Sequence, residues 1–274
     1  MSKSSLHRYL SVAVEAARRA GRLQARAVGR PALVETKRSP VDLVTDVDRR
    51  SERLICDLII RSFPTHGIHG EEQGRSNPRA AYQWIIDPLD GTMNFVHGTP
   101  WFAVSIGLTH EGRPILGVIY DPMQDELFAT VSGEGATLNG QRIHVSRTRH
   151  LSRSLLSTGF SPGFRKDPTT YLRCFDVMER RSHGVRRIGS TAVSLAYVAC
   201  GRLDGFYERE LWPWDIAAGI VLVQEAGGRI TDLHGRALQR LEHGAIVASN
   251  GPIHREIIKM LNGQLRSSKA SAST

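Results

Sequence analysis

Residues 84–95 read "WIIDPLDGTMNF", and their reading decides the fold. Three apolar residues run into Asp87, Pro88, Leu89 and Asp90, with Gly91 and Thr92 directly behind. The apolar run predicts a buried strand, and Asp-Pro and Asp-Gly are turn formers, so a turn at the strand end is the simplest interpretation. Two carboxylates so close together nevertheless repel each other, which asks for a partner of opposite charge.

Strands and helices mix on both sides of this point. Leu6, Leu10, Ala13, Ala17, Ala20 and Leu23 recur at helical spacing and predict a first helix that ends before the break at Gly29 to Pro31. A second helix is predicted in "TDVDRRSERLICDLIIRSF". The period then changes: "FAVSIGL", "ILGVIYD" and "ELFATV" are short β-rich runs, and "GATLNGQRIHVS" carries an Asn-Gly hairpin signal. Beyond residue 150, strand-like "LLSTGF", "VRRI" and "DGFYE" alternate with helices predicted around 169–181, at about 190–200 and in "WDIAAGIVLVQEAGG". The pattern favours an α/β or α+β layered architecture with helices packed on two sheets. The expected organisation is one domain over 1–263, with halves meeting near residue 150, and a disordered tail over 264–274.

Composition sets the outer bounds. With 274 residues, 41% hydrophobic and 23% charged, the chain can bury a sizeable core, and it carries no apolar run of membrane-spanning length and no signal-peptide core. A cytoplasmic protein is expected. Cys56, Cys174 and Cys200 are odd in number and far apart, which speaks against a disulfide framework or a zinc knuckle. A net charge of +9 suits phosphate-bearing small molecules, nucleic acid or an acidic partner alike. The arginines are dispersed and not interleaved with aromatics, so they read as a solvated basic surface and support no specific contact with nucleic acid or the transcription machinery.

Further acidic residues sit at element boundaries: Asp42, Asp46 and Asp48 in "VDLVTDVD", Glu71 and Glu72 in "IHGEE", and Asp215 in "WPWDIAAG". Singly, each has a local explanation. Thr45 to Asp48 fits a capping box, and Asp215 suits a helix N-terminus. Four or five carboxylates converging on one point would instead require cations between them, and oxygen-only ligation selects a hard ion, Mg²⁺ by default. His66 and His69 read as loop residues rather than zinc ligands.

In this order and spacing, "GEE", "DPLDGTMNF" and "WDIAAGIVLVQEAGG" resemble the inositol monophosphatase family of metal-dependent, lithium-sensitive phosphatases. "KRSPVDLVTDVD", "GEGATLNGQRIHVS" and "RRIGSTAVSLAYVACGRLDGFYE" extend the likeness from about residue 35 to 250. The resemblance implies an alternating α/β/α/β/α sandwich of the inositol monophosphatase and fructose-1,6-bisphosphatase type, a homodimer, and two to three Mg²⁺ ions per site. By resemblance, Glu71, Asp87 and the Leu89 carbonyl would hold a first Mg²⁺, Asp87, Asp90 and Asp215 a second, and Glu71 a weaker third.

Asp48 and Thr92 resemble the pair that orients and helps deprotonate the attacking water, and Gly91 and Thr92 would offer backbone N–H groups to the phosphate. Lys37 matches a lysine near the metal entrance, although a solvated loop lysine is an equal reading. Gly189, Ser190 and Thr191 would line the site, and Glu208 would meet the hydroxyls of a polyol unless it pairs with a nearby arginine. "GST" departs from the Gly-Thr-Ala-Ala of typical animal members, which bears on fine specificity. The implied substrate is a small phosphate monoester: inositol-1-phosphate first, with histidinol phosphate, fructose bisphosphate or a nucleotide 3'-phosphate as alternatives. A regulatory or RNA-associated protein on a phosphatase fold is the reading from another class.

Overall fold

Proline has no backbone N–H, so Pro88 cannot donate to a sheet ladder. In the computed structural model, which describes residues 3–37, 39–238 and 241–271, the chain does not turn there. It bulges. The strand runs from Tyr82 through Asp90, pairs Asp87 with Ser105, skips a residue, and pairs Asp90 with Ala103. The turn expected at Pro88 is therefore a β-bulge, which re-aims side chains without ending the strand.

In chain order the elements are α1 (Lys3–Ala27), β1 (Val34–Thr36), β2 (Leu43–Thr45), α2 (Asp46–Ser62), β3 (Gly67–Gly70), β4 (Gly74–Ser76), β5 (Tyr82–Asp90) and α3 (Thr92–Val96). There follow β6 (Ala103–His110), β7 (Arg113–Asp121), β8 (Glu126–Val131), β9 (Ala136–Leu138), β10 (Gln141–Ile143), β11 (Leu155–Thr158), α4 (Pro168–Arg181) and β12 (Gly184–Arg186). The last are α5 (Thr191–Ala199), β13 (Gly205–Leu211), α6 (Pro213–Glu225), β14 (Arg229–Thr231), β15 (Gly244–Ser249) and α7 (His254–Ser271). The final helix runs into the segment expected to be a tail. No proline interrupts it, and Leu265 packs against the core beneath. Residues 272–274 lie outside the described residues.

Eight strands form one sheet in the order β10-β9-β8-β7-β6-β5-β3-β4, antiparallel except for the β3–β5 pair. Five form the other, β12-β11-β13-β15-β14, with β11 parallel to both neighbours. On one side of the large sheet, Ala13, Ala17, Ile55 and Ile59 of α1 and α2 pack on Trp84, Ile86, Val104 and Val118. Between the sheets, Leu195, Val198, Ile220 and Leu222 of α5 and α6 meet Ile119, Phe128, Phe206 and Ile246. Beyond the small sheet, Cys174, Met178, Ile257 and Leu261 of α4 and α7 cover Leu156, Tyr207 and Val247. The layers alternate α/β/α/β/α as expected.

One close approach positions the site. A Cβ built on Gly107 would lie 2.7 Å from Ala217 Cβ, and one on Gly117 2.3 Å from the Ala218 carbonyl oxygen. The missing side chains let α6 lie directly on β6 and β7, which brings Asp215 in its first turn to the β5 bulge.

A candidate metal-dependent phosphoryl site

Carboxylate oxygens of Asp87, Asp90 and Asp215 lie within 4.8 Å of one another. Each is fixed from a different element. Asp87 Oδ1 accepts the Leu89 N–H at 3.0 Å across the bulge. Asp90 Oδ2 accepts the Ala192 N–H at 2.7 Å and the Ser190 hydroxyl, both at the start of α5. Asp215 Oδ2 accepts the Trp212 N–H at 2.6 Å at the start of α6, so its capping role and its place in the cluster coexist. Glu71 stands beside this trio just past the end of β3, its N–H bonded to the Ile86 carbonyl at 3.1 Å and its charge adding to burial in raising all three aspartates.

The electrostatics show the strain of this gathering. Burial pushes Asp87 and Asp215 well above the usual carboxylate range, and the charges of Glu71 and Asp90 push them further. Burial likewise raises Asp90 to about 6, against the opposing effect of its bonds to Ser190 and Ala192. Lys37 supplies positive charge. Its ammonium reaches Glu71 Oε1 at 2.8 Å and also Glu72, and although burial disfavours its charge, those carboxylates hold it above its ordinary range. Lys37 is thus no solvated loop lysine. Among the described residues, the Lys37 ammonium is outnumbered by these carboxylates, and a donor set made of carboxylate oxygens fits a hard divalent cation.

Beside the cluster, the Thr92 hydroxyl lies 3.1 Å from Asp48 Oδ1 and 3.1 Å from the Leu89 carbonyl. Asp48 is buried at the start of α2, where its other oxygen accepts the Thr45 N–H at 2.9 Å, completing the capping box expected there. Burial outweighs the Thr45 bonds and raises Asp48 to about 6. Gly91 caps α3 with φ +94°, and a Cβ there would meet the Trp101 carbonyl oxygen at 2.8 Å.

The structure brings most of the remaining expected residues to this place. Ser190 bonds Asp90, Thr191 Oγ1 donates to Glu208 Oε2 at 3.0 Å, and Gly189 takes φ +82° against Asn94. The "GST" step thereby links the acidic cluster to Glu208. Glu208 is buried and held by Thr191 rather than by an arginine, and burial raises it to about 8. Arg209 turns instead to Asp167 at 3.2 Å. Asp46 stands apart, accepting the Ala32 and Leu33 N–H groups. Glu72 binds Lys37, and His69 packs edge-on against Trp214.

Two supporting residues escaped the sequence reading. Gln24 Nε2 donates to the Pro88 carbonyl at 2.6 Å, propping the bulge from α1. Glu52 Oε1 accepts the Glu72 N–H at 3.1 Å and occupies the space beside Gly70, steadying the turn that carries Glu71. Both are fully buried polar residues on helices. The signal was present: Gln24 falls four residues beyond Ala20, and Glu52 three before Ile55, on stripes that are otherwise apolar.

The inositol monophosphatase family model matches residues 5–269. A relative from Escherichia coli (strain K12), named Nus factor SuhB, is 43% identical over 95% of this chain and 98% of its own length. An inositol-1-monophosphatase from Synechocystis sp. is also 43% identical, over 95% of this chain and 91% of its own. A solved inositol monophosphatase from Anabaena (Nostoc) sp. superposes with a TM-score of 0.86 at 43% identity, covering 94% of this chain and 97% of that one. Likeness of this extent, over a chain whose bulged strand and helix starts gather the acidic residues at one point, settles the family: the chain belongs to the inositol monophosphatase family.

Proposed function

We propose that the protein is a Mg²⁺-dependent phosphomonoesterase that hydrolyses inositol-1-phosphate to inositol and phosphate by in-line attack of water. The observation that carries this reading is the convergence of Asp87, Asp90 and Asp215 beside the Thr92–Asp48 pair. Glu71, Asp87, the Leu89 carbonyl, Asp90 and Asp215 would hold two to three Mg²⁺ ions. When bound, Mg²⁺ supplies charge neutralisation at the phosphoryl oxygens and makes water more acidic.

The chain's own groups do the rest. Thr92 Oγ, by donating its proton to Asp48, presents a lone pair that can take a proton from the attacking water. Asp48, raised to about 6, is ionised near neutral pH yet basic enough to accept that proton. The Gly91 and Thr92 N–H groups hold the phosphate. Glu208, lying past Thr191 and Ser190 from the metal cluster, meets the hydroxyls of the alcohol portion. Raised to about 8, its carboxyl is protonated at neutral pH and can both donate to a hydroxyl and accept from one. We further infer a cytoplasmic homodimer, in keeping with the family resemblance.

The test is phosphate release from a panel of inositol-1-phosphate, histidinol phosphate, fructose bisphosphate and a nucleotide 3'-phosphate, with Mg²⁺ or with EDTA. Inositol-1-phosphate should show the highest kcat/KM, and EDTA should abolish turnover. Absence of Mg²⁺-dependent release from every ester would overturn the phosphatase reading. A second reading, association with the transcription machinery, is favoured by the Nus factor name of the Escherichia coli relative and by the arginines lining the α1–α2 groove, among them Arg19, Arg22, Arg26, Arg50 and Arg53. Failure of the protein to retain RNA polymerase complexes would overturn this reading, and retention by a variant lacking these arginines would show that they play no part in it.

A further inference from the structure

Strand β13 departs from regular geometry beside Glu208. Glu208 pairs with Ile246 and Leu211 with Gly244, so one extra residue is inserted between them. Glu210 takes up the irregularity at φ +59°, in the left-handed region that favours glycine. A non-glycine residue in that region is strained and persists where its surroundings hold it. Its carboxylate is the reason here: Glu210 Oε2 accepts the Ser161 hydroxyl at 3.1 Å, and Ser161 Oγ lies 2.6 Å from the Tyr171 hydroxyl. Ser161 precedes the short turn Pro162–Arg165, yet its side chain caps nothing in that turn and faces Glu210 and Tyr171 instead.

The fit is close on both sides. A Cβ on Gly163 would stand 1.7 Å from Glu210 Oε2, and one on Gly159 2.1 Å from Glu208 Oε1. Arg209, between the two glutamates, reaches Asp167 and lies over the Tyr171 ring. Three successive residues of β13 therefore grip the single segment 159–171. A regular strand would send Arg209 to the opposite face from its neighbours.

We propose that Glu210 is a positioning residue for Glu208: it clasps the 159–165 segment through Ser161 and Gly163, fixes the wall against which Glu208 stands, and so sharpens discrimination among alcohols of phosphate esters. The proposal rests on the phosphomonoesterase reading for its substrate and on the bulge geometry for its mechanism. Glu210→Gly removes the clasp while relieving the backbone, and Glu210→Gln keeps an acceptor for Ser161.

Two readouts apply: hydrogen exchange at the Phe164 and Lys166 amides, which bond the Ser161 and Gly163 carbonyls, and the ratio of kcat/KM between the best panel ester and p-nitrophenyl phosphate. In Glu210→Gly the midpoint of thermal unfolding should equal or exceed wild type, those amides should exchange faster, and the ratio should fall about fivefold through KM for the panel ester. Glu210→Gln should restore most of both. Either readout staying at its wild-type value in Glu210→Gly overturns the proposal. A substrate reading that fails does so in the wild-type panel alone, before any variant is compared.

Discussion

Asp90→Asn separates two effects that a cluster of carboxylates combines. Asn matches the shape of a protonated Asp90 and can still accept one bond from the start of α5, but it never ionises. In the folded protein Asp90 is raised from 3.8 to about 6, by burial first and by repulsion from Glu71 as well. A raised carboxyl costs stability as pH climbs from the unfolded pKa to the folded one, because the unfolded chain releases its proton earlier. About two pKa units correspond to at most ~3 kcal/mol, and partial exposure brings this to about 1–3 kcal/mol. In EDTA, Asp90→Asn should therefore match wild type near pH 4 and exceed it at pH 8, by roughly 2–10 °C in thermal midpoint. With Mg²⁺ the order reverses, since the variant lacks the charge that a hard cation needs, and turnover should drop by orders of magnitude. Differential scanning fluorimetry at both pH values, with EDTA or Mg²⁺, reads the first effect, and phosphate release the second. Near-normal turnover at saturating Mg²⁺ would refute the metal assignment, and a lower midpoint than wild type in EDTA at pH 8 would refute the charge-repulsion argument.

The adjacent glutamates should differ sharply: both touch Lys37, but it is the Glu71 charge that, after burial, raises Asp87, Asp90 and Asp215, so Glu71→Gln should cost far more activity than Glu72→Gln. The reverse order would shift the assignment by one residue. Asp48 must be ionised to accept a proton, so kcat should rise with pH through about 6 and level off above it; an Asp48→Asn enzyme that keeps that limb would exonerate Asp48. Glu208→Ala should lose about ten- to a hundredfold in kcat/KM for inositol-1-phosphate, roughly 1.5–3 kcal/mol, and much less for p-nitrophenyl phosphate, which offers no hydroxyls there. An equal loss on both esters would reduce Glu208 to a structural role. Li⁺ should slow turnover by competing for the less tightly held Mg²⁺, which inhibition measured at several Mg²⁺ concentrations would test.

What could be read from the chain followed what periodicity and motif order encode. The helical stripe from Leu6 to Leu23 was legible from its spacing, and the β-rich runs of β6, β7 and β8 were legible because strands buried on both faces read as short continuous apolar stretches. The bulge at Pro88 read as a turn because the local signals for the two are identical; only the partner strand, pairing Ala103 to Asp90, carries the chain onward. The short strands β3, β14 and β15 were not picked out, being defined by neighbours more than by their own pattern. The carboxylates were legible individually, and their meeting was legible through motif order. The partners Gln24 and Glu52 were not, since a polar residue on an apolar stripe announces burial without saying what it touches.

The construction of the acidic cluster explains how the fold tolerates it. Asp48 opens α2, Asp215 opens α6, and Asp90 receives the first N–H groups of α5. Three helix starts thus aim their unpaired N–H groups and the positive ends of their dipoles at one volume, a favourable setting for negative charge. Those bonds do not cancel the burial and repulsion, for Asp90 and Asp48 both remain at about 6. They do fix one oxygen of each carboxylate by a backbone group whose position depends on the packed layers. If these carboxylates hold the proposed cations, a ligand set fixed this way would have little reorganisation to undergo on binding, and the three helix starts would serve as preorganisation of the site.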